Sequence, residues 1–142
     1  MTDFLQTVKT LSDTRPLDRA AVESALDVAL RGDPDNKNRY VEIWRAFRRP
    51  ESIREVELRV PLSGATRKGG MLIIDLASDP AISGEAVRTA FGAAPLLLEP
   101  EPEQPTTAPH YLVYEKSWGA LRFGFTRPAW ESLTTVVIDV ER

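Results

Sequence analysis

The sequence predicts an α+β fold: an antiparallel sheet of about six strands, arranged as two αβββ halves, with two or three helices packed on one face. Three observations carry this reading. Apolar residues recur at helical spacing through the first thirty residues and again after residue 83. Period-two alternation marks residues 53–62 and three segments after residue 110. Short turn-like stretches join the successive strands, which is the connection antiparallel hairpins require.

Phe4, Val8 and Leu11 recur at i, i+4 and i+7, so a first helix is expected to end near Ser12, before Pro16 breaks the chain. Asp18 is placed to cap a second helix, in which Val22, Ala25, Leu26, Ala29 and Leu30 form one apolar stripe, and Gly32 and Pro34 end it. Residues 32–38 (GDPDNKN) read as a loop; they lack the alternating acids and distant glutamate of a calcium loop. Tyr40 to Phe47 holds β-formers at a spacing that also suits a helix, and the strands that follow favour a strand.

In the next segment Val56, Leu58 and Val60 face one way and Glu55, Glu57 and Arg59 the other. Residues 63–70 form a turn into Met71 to Leu76, whose near-continuous apolarity predicts a strand buried on both faces. Asp79-Pro80 closes the hairpin, Ser83 starts a helix containing Val87, Ala90 and Phe91, and Gly92 stops it. Residues 93–109 hold five prolines and three glutamates and read as a mobile, linker-like segment within the single domain 1–142. A β-meander of 111–115, 120–126 and 133–140 completes the chain, with Leu121, Phe123 and Phe125 on one side of its middle strand.

Composition narrows the function. At 142 residues and 42% apolar content the chain builds one core, and with no cysteine it has neither disulfides nor thiolate chemistry. A net charge of −3 argues against a nucleic-acid partner. The N-terminus lacks the apolar run of a secretory signal or membrane span, so a cytoplasmic protein with no membrane partner is expected. The charge is uneven: residues 39–68 carry +4 and the remainder −7. Such a dipole can steer a charged partner.

Catalytic signatures are sparse. The single imidazole, His110, lies between Pro109 and Tyr111, and no paired His or Cys spacing supports a metal, so neither metal nor cofactor is expected. Gly64 to Gly70 lacks the phosphate-loop order, and a strand follows it where a helix is required. Binding is therefore the expected occupation, rather than catalysis.

The stretch Val87 to Pro95, followed by Tyr111, Trp118-Gly119, Leu121 to Phe125, Leu133 and Val136 to Ile138, resembles small bacterial β-lactamase-inhibitor-like and SmpA-like domains, in which a helix ending in Phe-Gly or Leu-Gly leads into a meander. It is also similar to small immunity proteins carried beside secreted bacterial toxins. The resemblance implies a non-enzymatic protein that grips a cognate toxin or enzyme through a sheet surface and loops. SmpA-like proteins are lipoproteins, and this chain lacks the lipid-bearing cysteine.

For that role the expected contact residues are Trp118, Trp130 and Tyr114, backed by Glu99, Glu101 and Glu103, because aromatic anchors dominate interface energetics. The alternative is a ligand-binding or enzymatic pocket between sheet and helices in which Arg45, Arg59 and Arg122 clamp an anion.

Overall fold

The structure, a computed structural model, describes residues 2–65, 69–77, 81–93, 96–98, 110–126 and 132–141. Its elements are α1 (Thr2–Ser12), α2 (Arg19–Leu26), β1 (Ala29–Gly32), β2 (Val41–Arg48), β3 (Ile53–Pro61), β4 (Met71–Leu76), α3 (Gly84–Phe91), β5 (Leu96–Leu98), β6 (His110–Lys116), β7 (Gly119–Phe125) and β8 (Leu133–Val140). The α+β class with one antiparallel sheet and three helices is as the sequence predicts. Among the described residues the sheet, however, has eight strands, and not about six, in the order β1-β2-β3-β4-β8-β7-β6-β5.

That order is the same read from either edge. Two four-stranded meanders meet at the β4/β8 pair, where Leu72 lies opposite Ile138. Along one row the register then runs Trp44, Leu58, Leu72 on one side of the centre and Tyr114, Leu121, Ile138 on the other. A pseudo-two-fold perpendicular to the sheet thus relates Arg59 to Arg122, each one residue beyond its row member. The halves are ββββ units, each preceded by helix, and not the βββ units expected.

The two unforeseen strands are the two sheet edges. The expected continuation of α2 through Leu30 is wrong: Asp27 takes a left-handed conformation (φ 56°) that ends the helix, and the Leu30 amide donates to the Glu23 carboxylate at 2.8 Å. Ala29–Gly32 then pairs with β2. Within the segment expected to be mobile, Leu96–Leu98 pairs with Tyr111–Val113 of β6, so the linker reading fails at these three residues. Residues 94–95 and 99–109 of that segment, together with Asp79-Pro80, lie outside the described residues.

All three helices cover the same face. Leu5, Val8 and Leu11 of α1, Val22 and Leu26 of α2, and Val87 of α3 join Leu58, Leu72, Ile74, Leu112, Leu121, Phe123, Val136 and Ile138 in one core. Asp18 and Ser83 cap their helices by accepting from Ala21 N–H at 3.0 Å and Ala86 N–H at 3.1 Å. Leu121, Phe123 and Phe125 are fully buried, each contributing about 1.5–3 kcal/mol of apolar burial. Gly119 opens β7 at φ 149°, where an added Cβ would fall 1.9 Å from the Asp139 carbonyl oxygen, so only glycine fits.

Among the described residues, the opposite face carries no helix. In β4, Leu72, Ile74 and Leu76 are buried, while Met71, Ile73 and Asp75 are only half-buried, which corrects the expectation of burial on both sides. An all-antiparallel sheet tolerates one such face, because no crossover helix is needed to connect its strands.

Candidate functional site

The helix-free face presents two rows of side chains fixed by strand register. One runs Arg45, Glu57, Ile73, Val137, Arg122, Val113, and the next runs Ile43, Arg59, Met71, Asp139, Ala120. Met71, Ile73 and Val137 form an apolar centre on the two middle strands. Charged pairs flank it on both sides.

On the β2/β3 side, Glu57 holds two arginines at once. Its Oε1 accepts from Arg45 Nη1 at 2.5 Å and its Oε2 from Arg59 Nε at 2.6 Å. Arg45 Nε also donates to Asp33 Oδ2 at 2.9 Å, across the β1–β2 loop. This bond, with a second from the Asp35 amide, holds the Asp33 carboxyl below the usual carboxylate range, and the same pairing raises Arg45. On the β7/β8 side, Arg122 Nη1 donates to Asp139 Oδ2 at 3.0 Å, and the Asp139 side chain is buried.

Next to Asp75 and Arg122, Tyr111 lies across Gly124, where an added Cβ would come within 2.9 Å of its ring. Burial first, and the Asp75 charge second, push the Tyr111 phenol up, while Arg122 opposes them. Ile73 and Val137 line a shallow groove of about 1050 Å³, rimmed by Arg54, Glu55, Asp75, Tyr111 and Thr135. A second groove of about 830 Å³ lies between α1 and α3, lined by Leu5, Lys9, Ile82, Ala86 and Ala90.

The expected anion clamp is only half assembled, and its arginines lie on the helix-free face instead of in a pocket between sheet and helices, because strand alternation turns them away from the core row of Leu58, Leu72, Ile138 and Leu121. Arg45 and Arg59 meet on Glu57, but β3, β4 and β8 separate Arg45 from Arg122. At about 4.8 Å per strand that is roughly 19 Å, too far for one small anion. All three guanidinium groups are already engaged by carboxylates.

Of the expected aromatic anchors, Tyr114 is 8% exposed and belongs to the core, because its strand position faces the helices. Its ring packs edge-on against Phe123 and its hydroxyl donates to the Gly92 carbonyl at 2.7 Å. Trp118 sits half-buried in the β6–β7 turn, with the Arg15 guanidinium 4.8 Å from its ring centroid. It braces the α1–α2 connection. Trp130, Glu99, Glu101 and Glu103 lie outside the described residues. His110 opens β6, half-buried, and among the described residues no cluster of three His, Cys, Asp or Glu is placed to hold a metal.

The residues that sequence reasoning missed are Met71, Ile73, Val137 and Glu57. The signal was available in the pairing of Ile73 with Val137, which needs the strand order to be seen. No known protein family, curated protein or solved structure matches the chain. No helix among the described residues is long and apolar enough to cross a membrane.

Proposed function

We propose that the chain is a non-catalytic protein-binding module whose helix-free sheet face covers a partner protein, in the sharpest form a toxin or enzyme that it neutralises. The observation that carries this reading is the layout of that face: an apolar centre of Met71, Ile73 and Val137, flanked on both sides by arginine–carboxylate pairs. Protein interfaces combine an apolar centre with a polar, arginine-containing rim in this way. Pairing Arg45, Arg59 and Arg122 with Glu57 and Asp139 fixes their heads at the rim, so less side-chain entropy is lost on binding.

The immunity or inhibitor role implied by the sequence resemblance fits this use of a sheet surface. The anion-binding alternative has less support, because its three arginines are neutralised and Arg122 stands apart from the other two.

The test is co-purification of the tagged chain with the product of an adjacent gene, followed by calorimetry of the purified pair. A stoichiometric complex is expected. Recovery of chaperones alone counts against the reading.

A further inference from the structure

Strand register decides which backbone groups point outward at the two sheet edges, β1 and β5. In an antiparallel ladder, alternate residues bond to one neighbouring strand and the residues between them bond to the other. At the β7/β8 pair the Glu141 N–H donates to the Trp118 carbonyl at 2.8 Å, so Ala120 and Arg122 bond to β8, while Leu121 and Phe123 turn their groups to β6. Across the next register Leu112 and Tyr114 bond to β7, which leaves Tyr111 and Val113 bonding to β5. Leu96, opposite Val113, and Leu98, opposite Tyr111, therefore direct their backbone groups inward. Leu97, opposite Leu112, turns both its N–H and its C=O out to the edge.

The other edge is blunted. There the Asp33 N–H donates to the Ile43 carbonyl at 2.8 Å, so Leu30 and Gly32 turn outward. The Leu30 amide is taken by the Glu23 carboxylate at 2.8 Å, and the exposed Arg31 stands between the two. An occupied donor and a charge keep a sheet edge from pairing. The β5 edge has neither: it reads Leu-Leu-Leu, and no described residue bonds the outward groups of Leu97. Leu96 and Leu97 are 57% and 56% exposed. Leu97 shares the helix-bearing side of the sheet with Leu112, so its exposure means that no described helix covers it.

We propose that β5 pairs with β5 of a second copy, antiparallel, about a two-fold axis perpendicular to the sheet at Leu97. The occupant follows from where the free groups lie. Donor and acceptor sit on one residue, so the two-fold sets the Leu97 N–H of each copy against the Leu97 C=O of the other and closes both bonds at once. Directly opposed residues point to the same side, so the two exposed Leu97 side chains meet, and no like charges oppose each other on the strand. Three residues per copy bury far less than the about 800 Å² per partner of a standard interface, so the dimer is reversible, with a dissociation constant on the order of 100 µM. The axis keeps both helix-free faces open and on the same side, so the dimer is independent of the proposed binding role.

Sedimentation velocity from about 10 µM to about 1 mM, with urea unfolding alongside, tests this. The wild-type chain is expected to pass from monomer to dimer across that range. Leu97→Pro removes the outward amide and leaves the bonds of Leu96 and Leu98 to β6, a position where an edge strand accepts proline. It is expected to keep the wild-type urea midpoint and to weaken dimerisation about tenfold or more. Leu97→Lys leaves every backbone bond in place and sets like charges opposite each other, with the same expected loss; if Leu97→Pro lowers the urea midpoint, Leu97→Lys decides. A wild-type chain that stays monomeric at about 1 mM overturns the proposal and leaves the edge to a strand of another protein. A dimer that Leu97→Lys leaves within about twofold of wild type overturns it as well.

Discussion

The Tyr114 hydroxyl donates to the Gly92 carbonyl 2.7 Å away, tying the inner face of β6 to the end of α3. Because the ring also packs on Phe91 and Phe123, Tyr114 acts in folding and not at the surface. Tyr114→Phe is expected to cost about 1 kcal/mol, the net worth of one hydrogen bond whose carbonyl can turn to water. Tyr114→Ala is expected to cost about 3–5 kcal/mol in urea unfolding. A loss below 0.5 kcal/mol for the alanine variant contradicts the placement.

Trp118 is expected to behave as a brace. Trp118→Ala leaves a half-buried gap and should cost about 1–3 kcal/mol, less than full aromatic truncation in a core. Arg15→Ala should cost about 0.5–1 kcal/mol, and a double-mutant cycle should return a coupling of that order from the cation–π contact. Zero coupling would mean that the stacked geometry carries no energy in solution.

Glu57→Gln removes the charge that joins Arg45 and Arg59. The arginine side chains are about half exposed, 49% and 48%, so screening by water limits the loss to about 1 kcal/mol. The difference between variant and wild type in urea midpoints should shrink as salt rises.

Two pH limits follow from the shifted groups. Asp33 is lowered when folded, chiefly by Arg45, so its contribution is complete above the usual carboxylate value of about 4 and is lost as pH falls through the lower folded value. Carboxyl NMR titration should find Asp33 below that value in the wild type and near it in Arg45→Ala. Tyr111 and Tyr114 are raised, chiefly by burial, so the folded state keeps their protons longer than the unfolded chain does. Their contribution is complete below the free phenol value of about 10 and is lost as pH climbs through the raised values, which an ultraviolet tyrosinate titration with parallel unfolding curves will read.

The helices, β3 and the three strands of the C-terminal meander were legible because their apolar residues repeat at 3.6 or 2.0 residues over long enough runs, whereas β2 was assigned from its neighbours and β4 from its apolar run. The two edge strands were not. Ala29 and Leu30 stand three and four residues beyond Leu26, so the helical stripe of α2 runs unbroken into β1, and only the left-handed Asp27 separates them. Leu96–Leu98 is three residues long and pairs on one side only, too short for alternation to register. The helix-free face was hidden for a related reason: Met71 to Leu76 is apolar at five of six positions, which in sequence is the mark of a strand covered on both sides. Arg45, Arg59 and Arg122 were expected in a pocket between sheet and helices and instead share the helix-free face, and their distances depend on a strand order in which β8 inserts between β4 and β7.

The most direct test of the proposed function compares two substitutions in capture of the partner protein. Ile73→Asp disrupts the apolar centre of the helix-free face, whereas Trp118→Ala lies in the β6–β7 turn, away from that centre; both are checked for native circular dichroism first. If the face is the binding surface, Ile73→Asp should weaken the measured dissociation constant by about a hundredfold or more, the effect expected of a hot-spot residue, and Trp118→Ala should leave it within about threefold. Equal binding by wild type and Ile73→Asp, or a loss confined to Trp118→Ala, would contradict the account.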